Sequence, residues 1–309
     1  MGALEAPQWL LSGFVRSVQA AGGTAQPEEI RHTGEELLER WRSPERRFHN
    51  LKHLLSVLSR VDELTEETHE PDLVRLAAWY HGAVFTSDLA ATRANKGGED
   101  ETASADVALH DLVALGVPEP RAQRVHDLVV HLARHTTDPS DPDSAVLCDA
   151  DLAMLAVEPQ RYKAYLEELR AEYQHIPQRD FLRARQHILR KLLARASLFT
   201  SPLSERWEEP ARQNVTAELA RVEKELAKLD AAEQVAPGAS ALEAPGPDAN
   251  GSSANGSSGH GSGANGAAVN GSGANGSGAN GAAAARPAST DETDHPFVTG
   301  RPSSGPTGH

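Results

Sequence analysis

The stretch Leu51-Lys52-His53-Leu54-Leu55-Ser56-Val57-Leu58-Ser59-Arg60-Val61 decides the fold class. Leu51, Leu54, Leu55, Leu58 and Val61 recur at helical spacing and make one apolar face. His53 lies at the edge of that stripe, beside Val57 and Leu64, where a polar side chain can look into a cleft while its helix packs. The pattern recurs along the chain, and helices are predicted over 6–21, 27–42, 51–64, 71–81, 99–115, 118–135, 144–156, 159–173, 179–198 and 204–229. Pro27, Pro71, Pro118 and Pro159 stand near the first turns of four of them, where a missing N–H costs nothing. β-Branched and aromatic residues nowhere alternate over a useful length, so no strands are predicted. The expected fold is an all-α helical bundle.

The bundle is expected to occupy 1–230, and 231–309 to form a low-complexity tail rich in Gly, Ala, Asn and Ser. The tail contains the near-repeats Gly271-Ser272-Gly273-Ala274-Asn275-Gly276 and Gly276-Ser277-Gly278-Ala279-Asn280-Gly281. Such a composition buries too little apolar surface to offset its ordering entropy, so a disordered coil is expected there. In the last helical segment Leu219, Val222 and Leu226 share one face, as a helix capping the domain would arrange them. A net charge of −14 argues against broad nucleic-acid or anionic-membrane binding. It leaves room for a small anionic substrate, because a bound cation can invert the local field. Cys148 is the one cysteine, which excludes an internal disulfide and fits a reducing cytoplasm. The residues after Met1 carry no basic run of a secretory signal, and no apolar stretch approaches membrane-spanning length.

The residues suited to chemistry are histidines and aspartates on separate helices. His49 and His53 are four apart, and His131 and His135 repeat that spacing. His81 ends an apolar segment and is followed by Gly82. Asp149 and Asp151 interrupt an apolar run, and carboxylates are seldom buried unless paired or metal-bound. The two lie about 200° apart on a helix, so one site would take only one of them. Each residue also has a structural explanation. A single histidine is more often a hydrogen-bonding residue than a ligand. Asp149 suits an N-cap for a helix starting near Ala150. Gly82 suits a left-handed helix end. Imidazole and carboxylate together suit Mn, Fe, Ni, Zn or Mg, and such an ion would acidify water and neutralise phosphoryl charge.

Several stretches taken together resemble the metal-dependent phosphohydrolases of the HD superfamily, in a small all-helical bacterial subgroup. They are Phe48-His49-Asn50-Leu51-Lys52-His53, Tyr80-His81-Gly82-Ala83-Val84-Phe85, Asp100-Glu101-Thr102-Ala103-Ser104-Ala105 and Asp149-Ala150-Asp151-Leu152. Glu172-Tyr173, His175, Pro177, Glu209, Ala211-Arg212 and Asn214 extend the match, which runs from about Leu10 to Leu229. The resemblance implies an HD-type bundle and a divalent metal held by His53, His81 and Asp151, with His49 and Asp149 as second choices. It makes Glu101 and Asp151 candidates for orienting or activating water, and His135 and Arg212 candidates for holding phosphate. The family pattern has Asp where this chain has Gly82, so one charged ligand is missing; Asp88, Glu99 and Asp100 are the acidic residues near enough in sequence to replace it. The expected activity is hydrolysis of a phosphate ester such as a nucleotide. The alternative is a catalytically silent module that binds a nucleotide or phosphometabolite, or acts as an interaction protein.

Overall fold

The computed structural model describes residues 7–88, 98–133 and 140–235. Helices dominate them: α1 (Gln8–Ala20), α2 (Pro27–Trp41), α3 (Leu51–Glu63), α4 (Pro71–Tyr80), α5 (Glu101–Ala114), α6 (Glu119–Leu132), α7 (Pro142–Leu152), α8 (Pro159–Glu172), α9 (Gln178–Ala194) and α10 (Glu205–Val235). The all-α expectation therefore holds. One local exception is an antiparallel pair of two-residue strands, β1 (Phe85–Thr86) and β2 (Gly98–Glu99), which pairs Phe85 with Glu99. Strands this short show no alternation, which is why the sequence pattern misses them. The low-complexity tail beyond residue 235 lies outside the described residues. No helix among the described residues is long and apolar enough to cross a membrane.

Helix α4 is the hub. Its residues from Leu73 to Tyr80 are buried apart from Arg75, and it packs against α1, α3, α5, α6 and α7. A helix apolar nearly all round belongs in a core, and α4 could not be stable at the surface. Around it, α3 buries the stripe Leu51, Leu54, Val57, Leu58 and Val61, and α7 buries Ala145 through Ala150. Helices α3, α4 and α7 thus touch one another pairwise. Asn50 caps α3 by accepting the Lys52 amide at 2.8 Å, and Asp141 caps α7 by accepting that of Ser144 at 3.2 Å.

The C-terminal helices close the other side. Glu218 on α10 is buried and accepts from Tyr162 on α8 at 2.6 Å and from Arg185 on α9 at 2.8 Å through both oxygens. Asn214 bridges back to the carbonyls of Leu155 and Val157. Val222 and Leu226 are buried and Leu219 packs against the core, so the last helix covers the domain. It also runs past the predicted end at residue 229, to Val235.

Candidate metal centre

The three packed helices α3, α4 and α7 each contribute one polar residue to a common point. His53 is the third residue after the α3 cap and is 5% exposed despite its charge-capable ring. His81 is the cap residue after α4 and is fully buried. Asp151 lies near the end of α7. The Nε2 atoms of His53 and His81 are 3.2 Å apart. Asp151 Oδ1 is 3.2 Å from the first and 3.9 Å from the second. His81 Nδ1 donates to the Ala78 carbonyl at 2.7 Å, so Nε2 turns a lone pair toward the cluster. Burial holds the His81 ring below its ordinary pKa, in the neutral form a metal ligand needs.

A fourth group arrives from β2. Glu99 is 8% exposed, and its Oε1 lies 3.8 Å from His81 Nε2. The donor atoms of His53, His81 and Glu99 all fall within 4.8 Å of one another, and this buried group can hold a metal ion. Burial alone would favour the protonated acid, yet the imidazoles of His81, His49 and His53 hold the Glu99 carboxyl well below its ordinary range. Glu99 Oε1 is nevertheless buried with no hydrogen-bond partner among the described residues. That orphaned oxygen fits a cation site better than a purely structural network. So does the imidazole spacing, because two nitrogens bound at typical zinc–nitrogen lengths to one ion stand about 2.9–3.4 Å apart. Two imidazoles and two carboxylates suit Mn, Fe, Ni or Zn better than a softer ion.

Glu99 was expected to open a helix, because an acidic residue in a first turn is ordinary. Instead Asp100 caps α5, accepting the Ala103 amide at 2.9 Å, and Glu99 is lifted into the strand pair. Gly98 takes φ 109°, the left-handed region that suits glycine, immediately before it. The Asp100 amide donates to the Val84 carbonyl, and Ser104 Oγ accepts the Val84 amide, so β2 is tied down on both sides of Glu99.

The other predicted site residues serve different places. His49 stands beside His53, with ring centroids 5.6 Å apart, but its Nδ1 is 2.5 Å from Glu172 Oε1. Burial would discharge the His49 ring; the Glu172 carboxylate overrides this and lifts its pKa to about 9, so at neutral pH it is an imidazolium and no ligand. Asp149, far from capping a helix at Ala150, sits inside α7 and accepts from the amides of Thr200 and Ser201 and the hydroxyls of Ser201 and Ser204. It faces away from the histidines, as its angle from Asp151 requires. Glu101 is buried in the first turn of α5, outside the group of donor atoms. Arg212 clamps the end of α9 through the carbonyls of Leu193, Arg195 and Ala196, with Glu208 on its Nε, so four of its five N–H groups are committed there rather than at the cluster. His135 lies outside the described residues. Gly82 does not adopt a left-handed conformation.

Two residues that composition did not single out complete the surroundings. Trp41 lies 5.1 Å from the His81 ring and donates Nε1–H to the Trp79 carbonyl. Arg46 is buried between the Trp41 and Phe85 rings and donates to the carbonyls of His49 and Gly82. The stretch Trp41 to Phe48 carried the signal, since it sets three arginines between two aromatics, where a guanidinium can stack on a ring. Comparison with protein-family models, curated proteins and solved structures finds no match.

Beside His53 the surface opens into a cleft of about 280 Å³ lined by Phe48, Lys52, Met154, Arg161 and Tyr165 among others. Its lining combines two aromatics with two cations and the carboxylate of Glu168, which lies 3.9 Å from Lys52.

Proposed function

We propose that this protein is a metal-dependent phosphohydrolase of the HD type, acting on a small phosphate ester such as a nucleotide. The observation that carries the reading is the convergence of His53, His81, Asp151 and Glu99 from four separate elements onto one buried point. A structural role alone gives no reason to bring two imidazole Nε2 atoms within 3.2 Å of each other beside a carboxylate oxygen that lacks a hydrogen bond. The sequence resemblance to HD phosphohydrolases supports the same reading, and its Asp151 and two histidines are among the residues that meet.

The four side chains would hold a divalent ion, Mn, Fe, Ni, Zn or Mg. When bound, such an ion supplies Lewis acidity to a phosphoryl oxygen and makes a water nucleophilic near neutral pH. The protein does the rest. Ala78 fixes the His81 tautomer. Trp41 and Phe48 pack against the His53 ring and keep bulk water from its inner face. Asp151 is the most exposed of the four carboxylate and imidazole side chains, at 13%, and is placed to accept a proton from an attacking water. Arg161, with Lys52 shared by Glu168, gives the cleft lining a cationic group for an anion in a chain that is strongly acidic overall.

The silent-module alternative rests on Gly82 alone. One experiment separates the two. Protein purified without chelators is assayed for bound metal, then for phosphate release from nucleoside monophosphates and p-nitrophenyl phosphate with each of the five ions. The hydrolase reading expects metal that is lost in His53→Ala and phosphate release that goes with it. Metal without any hydrolysis would favour the silent module. Neither metal nor hydrolysis under any condition sinks the hydrolase reading.

A further inference from the structure

Gly82 is the one residue at which the chain departs from the pattern of two histidines and two carboxylates expected from the resemblance. The structure shows what stands in its place. A methyl carbon on Gly82 would overlap the Trp41 ring and lie 2.5 Å from Glu99 Oε1, well inside van der Waals contact. The volume that a side chain at 82 would need is therefore already filled, on one side by an indole and on the other by a carboxylate.

Trp41 cannot easily withdraw, and Glu99 is fixed at its backbone, so only its carboxylate end could swing aside, at the cost of leaving His81. Trp41 is fully buried and pinned through Nε1 to the Trp79 carbonyl at 3.0 Å. Glu99 is held through its backbone by β1 and by the Asp100–Val84 hydrogen bond at 3.0 Å. Its Oε1 points at His81 and has no hydrogen-bond partner among the described residues. Arg46, the buried guanidinium nearby, donates to the Gly82 and His49 carbonyls rather than to that oxygen. A buried carboxylate oxygen left without donors is unfavourable unless a cation meets it.

We infer that Glu99 supplies from β2 the carboxylate ligand that residue 82 does not, and that glycine at 82 is required to admit it. The inference rests on the metal-centre reading above. It changes what Gly82 means: the centre is complete with four protein ligands, and the glycine makes room for one of them. Restoring an aspartate at 82 would then do the opposite of repairing the site, because the new side chain would compete with Glu99 and Trp41 for the same space.

The test is Mn²⁺ binding by the full chain, read by titration calorimetry and by the loss of free Mn²⁺ signal in electron paramagnetic resonance. Glu99→Gln keeps the shape and removes the charge; it is expected to weaken Mn²⁺ binding roughly 10–100-fold, the range over which metal sites respond to loss of a supporting group. Gly82→Asp alone is expected to weaken binding too, with circular dichroism and the unfolding midpoint reporting whether the domain stays folded. The relocation is then rebuilt in a Trp41→Phe background, where the shorter ring vacates the atoms that would overlap. There, Gly82→Asp added to Glu99→Ala is expected to bind Mn²⁺ at least tenfold more tightly than Glu99→Ala alone. If Glu99→Gln binds within twofold of the wild type while His53→Ala abolishes binding, the inference is overturned and the metal centre stands. If Gly82→Asp alone tightens binding in a folded protein, the inference is overturned as well. If the wild type takes up no Mn²⁺, Zn²⁺ or Ni²⁺, the metal-centre reading falls and carries the inference with it.

Discussion

Asp149 and Asp151 stand two residues apart on α7 and serve opposite sides of it. Asp149 receives four donors from Thr200, Ser201 and Ser204, whereas Asp151 Oδ1 lies 3.2 Å from His53 Nε2. The two carboxylates should therefore separate cleanly in experiment. Asp149→Ala leaves buried amides and hydroxyls without an acceptor and is expected to cost about 3 kcal/mol or more in urea unfolding, with metal content per folded molecule unchanged. Asp151→Ala is expected to cost less than about 1.5 kcal/mol and to lose the metal. The reverse pairing of effects would show that the two sides have been confused.

Glu172 does for the α3 entrance what Asp149 does for the Thr200 loop. One oxygen meets His49 and the other accepts the amides of Arg47, Phe48 and His49 at 2.8–3.1 Å. Glu172→Gln leaves a buried imidazolium without its anion, and a loss of about 3–5 kcal/mol is expected. His49→Gln together with Glu172→Gln should cost less than the sum of the single changes by more than about 1 kcal/mol, since the pair fails as a unit. Strict additivity would mean the ion pair contributes nothing specific.

Arg124 and Asp141 set an acid limit on stability. The guanidinium bonds both Asp141 oxygens, at 2.9 and 2.5 Å, and reaches Asp143 at 3.3 Å. Partial burial favours the protonated acid, but Arg124 and the Ser144 amide outweigh it and hold the Asp141 carboxyl below its ordinary 3.8. A carboxyl depressed in the fold stabilises it fully above the unfolded value and loses that effect as pH falls below it. The stability difference between wild type and Asp141→Asn should be flat from pH 7 to about 5 and shrink below about 4. Urea midpoints across that range test it; a difference that stays constant to pH 3.5 would contradict the assignment.

Arg212 was expected to hold phosphate, and its contacts argue for a different outcome. It satisfies carbonyls at the end of α9, where a cation also suits the helix dipole. Arg212→Ala is expected to lower stability by about 1–2 kcal/mol and to leave KM for any phosphate ester within a factor of two. Arg161→Ala, at the cleft, is expected to raise KM instead.

The parts of this molecule legible in the sequence are those set by periodicity. The α3 stripe placed His53 at a buried edge, and the helical angle separated Asp149 from Asp151. What was not legible depends on neighbours distant in the chain. Gly82 reads as a helix end because glycine often is one; its actual constraint comes from Trp41 and Glu99, which no local pattern connects to it. Glu99 reads as helical because a two-residue strand leaves no periodic trace. Arg212 matches a family position, yet its carbonyl partners on α9 could only be seen once the helices were packed.

The pairing of Phe85 with Glu99 has a consequence for how this site can be altered. The stretch that joins the two strands leaves from Thr86 and returns at Gly98, and both ends are hydrogen-bonded to each other. Glu99 is therefore anchored by a neighbour fourteen residues back in the chain, and a substitution at Phe85 or Thr86 reaches the Glu99 backbone directly although neither residue touches the histidines' donor atoms.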